Sequence, residues 1–298
     1  MILNQGFSYR ERLGSSAGGH TVLSYLVARY PHSDAQVWRQ RLVRGEVLLE
    51  GVVADGSEPL RVGQTLTWNR PPWLEPTVPL SYDQIYQDQA ILVVNKPSGL
   101  PTVPAGGFLQ NTLLSLVRQK FPPATPIHRL GRATSGLVLF ALNPQVASRL
   151  CTHWSRVEKV YRALASGVAT RDEYAIATPI GQAAHPRLGR VWAASPQGKP
   201  SFSRAWVKER RADSTVFAVQ IQTGRPHQIR IHLASIGHPL VGDPLYAAGG
   251  QPLPKQPGLP GEGGYLLHAE RLAFEHPDSG EWMELEAPLP QAWKASGP

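Results

Sequence analysis

Two apolar runs without alternation constrain this chain most. ILVV at 91–94 and LVLFA at 137–141 contain no polar residue, so neither has a face that could meet water. Runs this short suit strands better than buried helices, and a strand apolar on both faces belongs inside a covered sheet. The first run ends in a turn containing Asn95, Pro97, Ser98 and Gly99. After the second, Asn143 is a helix N-cap and Pro144 its first helical residue. In the helix they open, Ala147, Leu150, Cys151 and Trp154 fall on one face, which places Cys151 in the core. Segments 159–165 and 216–222 read as further strands. A helix from Pro226 then directs Ile229, Leu233 and Ile236 inward and stops at Gly237. Many strands with few helices predict an α+β domain over 81–298, built on a mixed, mostly antiparallel sheet.

The N-terminal quarter has a different pattern. Residues 1–17 read as a polar tail, and a compact unit follows over 18–70. Leu23, Leu26, Val27 and Tyr30 recur at helical spacing, and Trp38, Leu42 and Val43 mark a second helix closing at Gly45. That second helix carries Arg39, Arg41 and Arg44. Segments 46–53 and 63–68 read as short strands, and the proline-rich stretch 71–80 as a semi-rigid linker. Residues 247–264 have the composition of a mobile loop. The formal charge of +8 fits either an acidic partner such as nucleic acid or an ordinary basic protein. A single cysteine excludes an intrachain disulfide and a cysteine-rich zinc site, and fits a reducing cytoplasm. No apolar run approaches the roughly 20 residues that span a bilayer. The first residues also lack the apolar stretch of a secretory signal. A cytoplasmic location with no membrane partner is expected.

Two polar segments carry the candidate chemistry, HRLGRATSG at 128–136 and TGRPHQIR at 223–230. Arg230 follows an inward-facing isoleucine, so its guanidinium lies at the core's edge and needs a carboxylate or phosphate. For an isolated arginine a structural salt bridge is the commoner outcome. Arg129, Arg132 and Arg225 lie in turns, where phosphate contact is favoured. Tyr161, within KVYRA at 159–163, offers an aromatic ring and a hydroxyl, although most strand tyrosines are core residues. His128, His227, His232 and His238 lack the spacing of a zinc set, so hydrogen-bonded structural histidines are expected and no metal.

Together these segments resemble the RluA-type RNA pseudouridine synthases, whose usual wording is H-R-L-D-x-x-T-S-G and T-G-R-x-H-Q-I-R. The resemblance extends to VVNKPSG at 93–99, GHPLVGDPLY at 237–246 and LHAERLAFEHP at 267–277. It implies a pseudouridine synthase fold and cofactor-free isomerisation of uridine in structured RNA, rRNA or tRNA, by a monomer. It further implies that Tyr161 stacks on the base, Arg129 fills the space of the extruded nucleotide, and Arg230 holds the charge of a catalytic carboxylate. The N-terminal unit resembles an S4 RNA-binding domain, with Leu49-Glu50-Gly51 where that family commonly has Val-Asn-Gly. Arg39, Arg41 and Arg44 would contact RNA there, and Arg132 and Arg225 would do so in the larger domain.

Gly131 occupies the position of the family's catalytic aspartate. Losing a group that bonds to substrate or moves its proton costs several orders of magnitude in rate. A substitute misplaced by about 1 Å can already lose roughly 100-fold. Arg230 is then expected to meet an anion or another acid. Asp243 is a candidate, more readily explained as a turn residue, and Asp83 and Asp88 are others. Two readings stay open: a uridine isomerase using a displaced acid, and a catalytically silent RNA-binding protein acting in RNA folding or ribosome assembly.

Overall fold

The computed structural model describes residues 1–293 and falls into two compact units, with the boundary between Pro76 and Thr77. In the first unit, β1 (Ile2–Leu3), β2 (Phe7–Arg12), α1 (Val22–Arg29) and α2 (Ala35–Val43) come first. β3 (Val47–Leu49), β4 (Val52–Val53), β5 (Thr65–Arg70) and β6 (Leu74–Glu75) follow. Thr21 and Asp34 cap the two helices through their side chains, and Gly45 leaves α2 at φ +69°. Tyr25, Leu26, Trp38, Leu42, Val47 and Leu66 form the unit's core. The segment 46–53 is a hairpin rather than one strand, because Glu50 and Gly51 both take positive φ and fold β4 back on β3.

Two expectations about this unit need correction. Residues 1–17 are not a tail, since β2 pairs along its whole length with β5, Phe7 opposite Arg70 and Arg12 opposite Thr65. Nor is 71–80 simply a linker, because β6 pairs with β1 and the amide of Asn4 donates to buried Glu75 at 2.8 Å. Neither segment announces a strand because edge strands bury little, and their partners lie more than fifty residues away.

The second unit begins with β7 (Asp83–Gln87), β8 (Ile91–Lys96), α3 (Leu113–Lys120), β9 (Thr125–Pro126), β10 (Ser135–Ala141) and α4 (Pro144–Thr152). It continues with β11 (Glu158–Ser166), β12 (Glu173–Ile176), β13 (Ile180–His185), β14 (Gly189–Ala194), β15 (Ser203–Arg210) and β16 (Ser214–Ile221). α5 (Gln228–Ser235), β17 (Leu267–Glu275) and β18 (Trp282–Glu286) complete it. One sheet runs β12-β15-β16-β11-β17-β10-β8-β7, with β18 beside β17 and β9 beside β10. Its pairs are antiparallel except β10 with β17, giving the mixed, mostly antiparallel α+β domain.

The two unbroken apolar runs are β8 and β10, adjacent interior strands of this sheet. Leu92, Val94, Val138 and Phe140 enter one cluster with Leu113 and Val117 of α3 and Ile229 and Leu233 of α5. Ile91, Val93, Leu137 and Leu139 face the opposite way, against Val146 and Leu150 of α4. Helices on both sides are why these strands show no alternation. Asn143 caps α4 as expected, but Cys151 is exposed. Val146 and Leu150, four residues apart, define the inner face of that helix, and Cys151 is turned about 100° from Leu150.

Candidate active site

The first signature segment leaves the sheet at a close crossing. Ser135 and Gly136 of β10 pair in parallel with His268 and Ala269 of β17, and Ser135 Oγ lies 2.9 Å from His268 Nδ1. Gly136 has φ +108°, and a Cβ there would come within 2.2 Å of the Ala269 carbonyl, so only glycine permits this approach. The turn ahead of it, 130–134, is gathered by Lys96, whose ammonium is fully buried. Lys96 Nζ donates to the carbonyls of Leu100 at 2.7 Å, Pro97 at 2.9 Å and Arg132 at 3.3 Å. Burial and the nearby Arg132 charge lower its pKa to about 7. Thr102 adds a reciprocal pair of bonds to the Leu130 backbone. Gly131 opens the hydrogen-bonded part of this turn and is exposed.

The second segment is organised by Gln228. Its Oε1 accepts from the Thr223 hydroxyl and the Arg225 amide, and its Nε2 donates to Phe202 O and Ser203 Oγ. His227, at φ 56°, turns the chain directly into α5. The Tyr246 hydroxyl donates to Trp192 O at 2.7 Å, so the 2.7 Å contact with His227 Nδ1 requires that nitrogen to be the donor. Burial and the Arg230 charge hold His227 neutral, with its pKa lowered to about 3.

Arg230 has a protein partner. Its Nε and Nη2 each donate at 2.7 Å to the two oxygens of Asp243, and Nη1 donates to Pro260 O at 3.1 Å. Both side chains are 3% exposed or less. Asp243 also accepts the amides of Leu245 and Tyr246, so its lone pairs are committed to holding Arg230 and its own turn. The guanidinium carbon lies 4.9 Å from the centre of the Tyr246 ring and 4.5 Å from that of Tyr265. The acid expected to meet Arg230 is therefore Asp243, bound too fully to attack a substrate. Asp88 accepts two backbone amides and pairs with Tyr86 and His276, and Asp83 accepts from Asn95, so these candidates serve the β7–β8 edge.

Tyr161 lies on β11 opposite Val219 and Ala269, beside a bulge that leaves Glu270 unpaired in the ladder. Glu270 is held by a bidentate bond from Arg162. The Tyr161 ring belongs to the same apolar cluster as Leu130 and Ala133, which flank the Gly131 turn, and Ile229, Tyr265 and Ala269. Burial raises its pKa to about 12, so it stays a neutral phenol. Gly131, Tyr161 and Arg230 thus share one side of the sheet.

The remaining arginines differ in accessibility. Arg129 is exposed and has no partner among the described residues. Arg132 Nε donates to Gly261 O at 2.9 Å, and Arg225 Nε to Pro200 O at 3.3 Å. With Pro260 and Gly258 also bonded, to Arg230 and His185, the stretch 247–264 is tied to the domain at several points. In the first unit Arg39 and Arg44 are exposed, Arg44 lying 3.8 Å from Glu46. Arg41 is packed 4.4 Å and 4.3 Å from the rings of Trp38 and Trp68, and donates to Ser33. His128 accepts from Leu139 N, His232 is held by Ser203 and Thr178, and His238 contacts Ser166 O, so these histidines bind protein groups.

Sequence reasoning missed Tyr265 and the organising role of Lys96. Tyr265 lies just ahead of β17, in the same apolar cluster as Leu267 and Ala269.

This architecture has known counterparts. The family model described as RNA pseudouridylate synthase matches residues 90–235. An uncharacterized RNA pseudouridine synthase of Synechocystis sp. (strain ATCC 27184 / PCC 6803 / Kazusa) is 39% identical, covering 90% of this chain and 94% of that one. Ribosomal large subunit pseudouridine synthase D of Neisseria meningitidis serogroup A is 32% identical, covering 92% of this chain and 76% of that one. Among solved structures, human RNA pseudouridylate synthase domain containing 1 is similar with a TM-score of 0.56 at 27% identity, over 72% of this chain and 86% of that one. The chain belongs to the RNA pseudouridine synthases, of the RluA type.

Proposed function

We propose that this protein isomerises uridine to pseudouridine in structured RNA, without a cofactor, in the cytoplasm. The observation that carries this reading is the shared apolar cluster that brings the Gly131 turn, Tyr161 and the helix bearing Arg230 to one side of the sheet. In this reading Tyr161 stacks on the extruded uracil, and exposed Arg129 enters the space the nucleotide vacates. Arg230 fixes the floor of the site. The relative named for the large ribosomal subunit makes rRNA the first substrate to examine. The first unit is proposed to act as an S4-like RNA-binding module, with Arg39 and Arg44 presented to phosphate and Arg41 shaping the surface from within.

The second reading, a silent RNA-binding protein, draws on Gly131 and on the full engagement of Asp243. Mapping pseudouridine in RNA from cells with and without the gene separates the two. A position that loses pseudouridine on deletion, and regains it when the unaltered chain is restored, supports the isomerase. An unchanged map rejects it.

A further inference from the structure

We propose that the Tyr265 hydroxyl stands in for the missing carboxylate at Gly131 and is the group that bonds to ribose C1′; this rests on the isomerase reading above. A Cβ built on Gly131 would lie 3.9 Å from Tyr265 Oη and 3.6 Å from Thr134 Oγ1. An aspartate oxygen sits roughly 2.4 Å from its own Cβ by standard bond lengths. The phenol oxygen therefore lies about 1.5 Å beyond the reach of a carboxylate aimed along that line. The phenol reaches from the bend just ahead of β17 toward the same space that an aspartate would enter from the 130–134 turn.

Two further observations favour this use. Tyr265 is 5% exposed, yet its hydroxyl forms no hydrogen bond among the described residues. Its Oη is not fully sealed from solvent. A nearly buried phenol ordinarily finds a partner, so an open hydroxyl beside exposed Gly131 is placed for one that arrives with the substrate. The ring also lies 4.5 Å from the Arg230 guanidinium, a contact that holds the phenol beside the turn. No cation stacks on Tyr161 among the described residues. A close contact fixes the position, since a Cβ on Gly242 would come within 2.1 Å of the Gly264 carbonyl. These two glycines precede Asp243 and Tyr265 directly.

The steps balance without another reactant. Tyr265 Oη attacks C1′ as the C1′–N1 bond breaks, and the phenol proton goes to N1 of the departing uracil. The uracil turns, its C5 attacks C1′, and the C1′–Oη bond breaks. The proton on C5 then returns to the phenolate, leaving N1–H and a C5–C1′ bond with the enzyme restored. Tyrosine nucleophiles at a sugar's anomeric carbon are found among sialidases.

The test uses full-length variants restored to cells lacking the gene, with quantitative pseudouridine mapping and single-turnover rates on RNA from those cells. Tyr265→Phe is expected to lose at least about 1,000-fold in rate while RNA affinity and Tm stay unchanged. Adding Gly131→Asp to Tyr265→Phe is expected to recover at least about tenfold, because the turn accepts an aspartate in ordinary contact. A Phe variant within about threefold of the parent overturns the assignment and leaves the isomerase reading intact. Loss in the Phe variant with no recovery from the added aspartate also overturns it, since the hydroxyl would then serve something other than the carboxylate's task. An unaltered chain that forms no pseudouridine removes the isomerase reading itself and the assignment with it.

Discussion

Arg230 reaches the site with its charge already met. In a dry interior a guanidinium without a partner is costly, and two 2.7 Å bonds to Asp243 remove that cost while two tyrosine rings enclose the planar group. Asp243→Asn should therefore lower stability by about 3–5 kcal/mol in urea denaturation, because it leaves a buried charge unpaired. A loss below about 1 kcal/mol would mean that Arg230 takes a different acceptor. At this scale the sequence was informative about residue types and weak on pairing. TGRPHQIR marked Arg230 as a buried cation, but its partner lies thirteen residues further on, in a turn whose aspartate has a sufficient structural explanation by itself. Tyr265 escaped notice because a tyrosine in a glycine-rich stretch has no local periodicity to show which way it points. Lys96 escaped because its acceptors are backbone carbonyls, which no side-chain motif announces.

At the scale of elements, the most legible pieces were those whose two faces are both covered. β8 and β10 declared themselves through unbroken apolar runs, and α4 through Asn143 and Pro144. β1, β2 and β6 did not, because their stability comes from ladders to distant edges and their side chains bury little. Cys151 was misplaced because one exposed helical position of modest polarity resembles a core position in sequence. α2 shows the limit of reading a basic helix as one surface. Arg39→Gln with Arg44→Gln should weaken RNA binding and reduce the salt dependence of log Kd by roughly 2, with the melting temperature kept. Arg41→Gln should instead lower the melting temperature, since its guanidinium is stacked between Trp38 and Trp68. Equal loss of affinity for all three single variants, with no thermal effect, would contradict this division.

For the whole molecule, histidine burial sets an acid limit. His128 and His227 are lowered to about 3 and His232 to about 4, from 6.5, mainly by burial. The folded state thus refuses protons that the unfolded chain accepts. Stability from these groups is complete above pH 6.5 and falls as the pH drops toward 4. The slope should approach about 4 kcal/mol per pH unit when all three titrate together in the unfolded chain. Urea midpoints measured between pH 7 and pH 4 check this, and a flat profile would show that all three rings are charged in the fold. The net charge of +8 adds long-range attraction to RNA, independent of base sequence. The most direct measurement of the central claim is to incubate the purified full-length protein, with chelator and no cofactor, with RNA from cells that lack it, and then map pseudouridine. Conversion of at least one specific uridine is the result expected, whereas tight, salt-sensitive RNA binding with no uridine converted would contradict it.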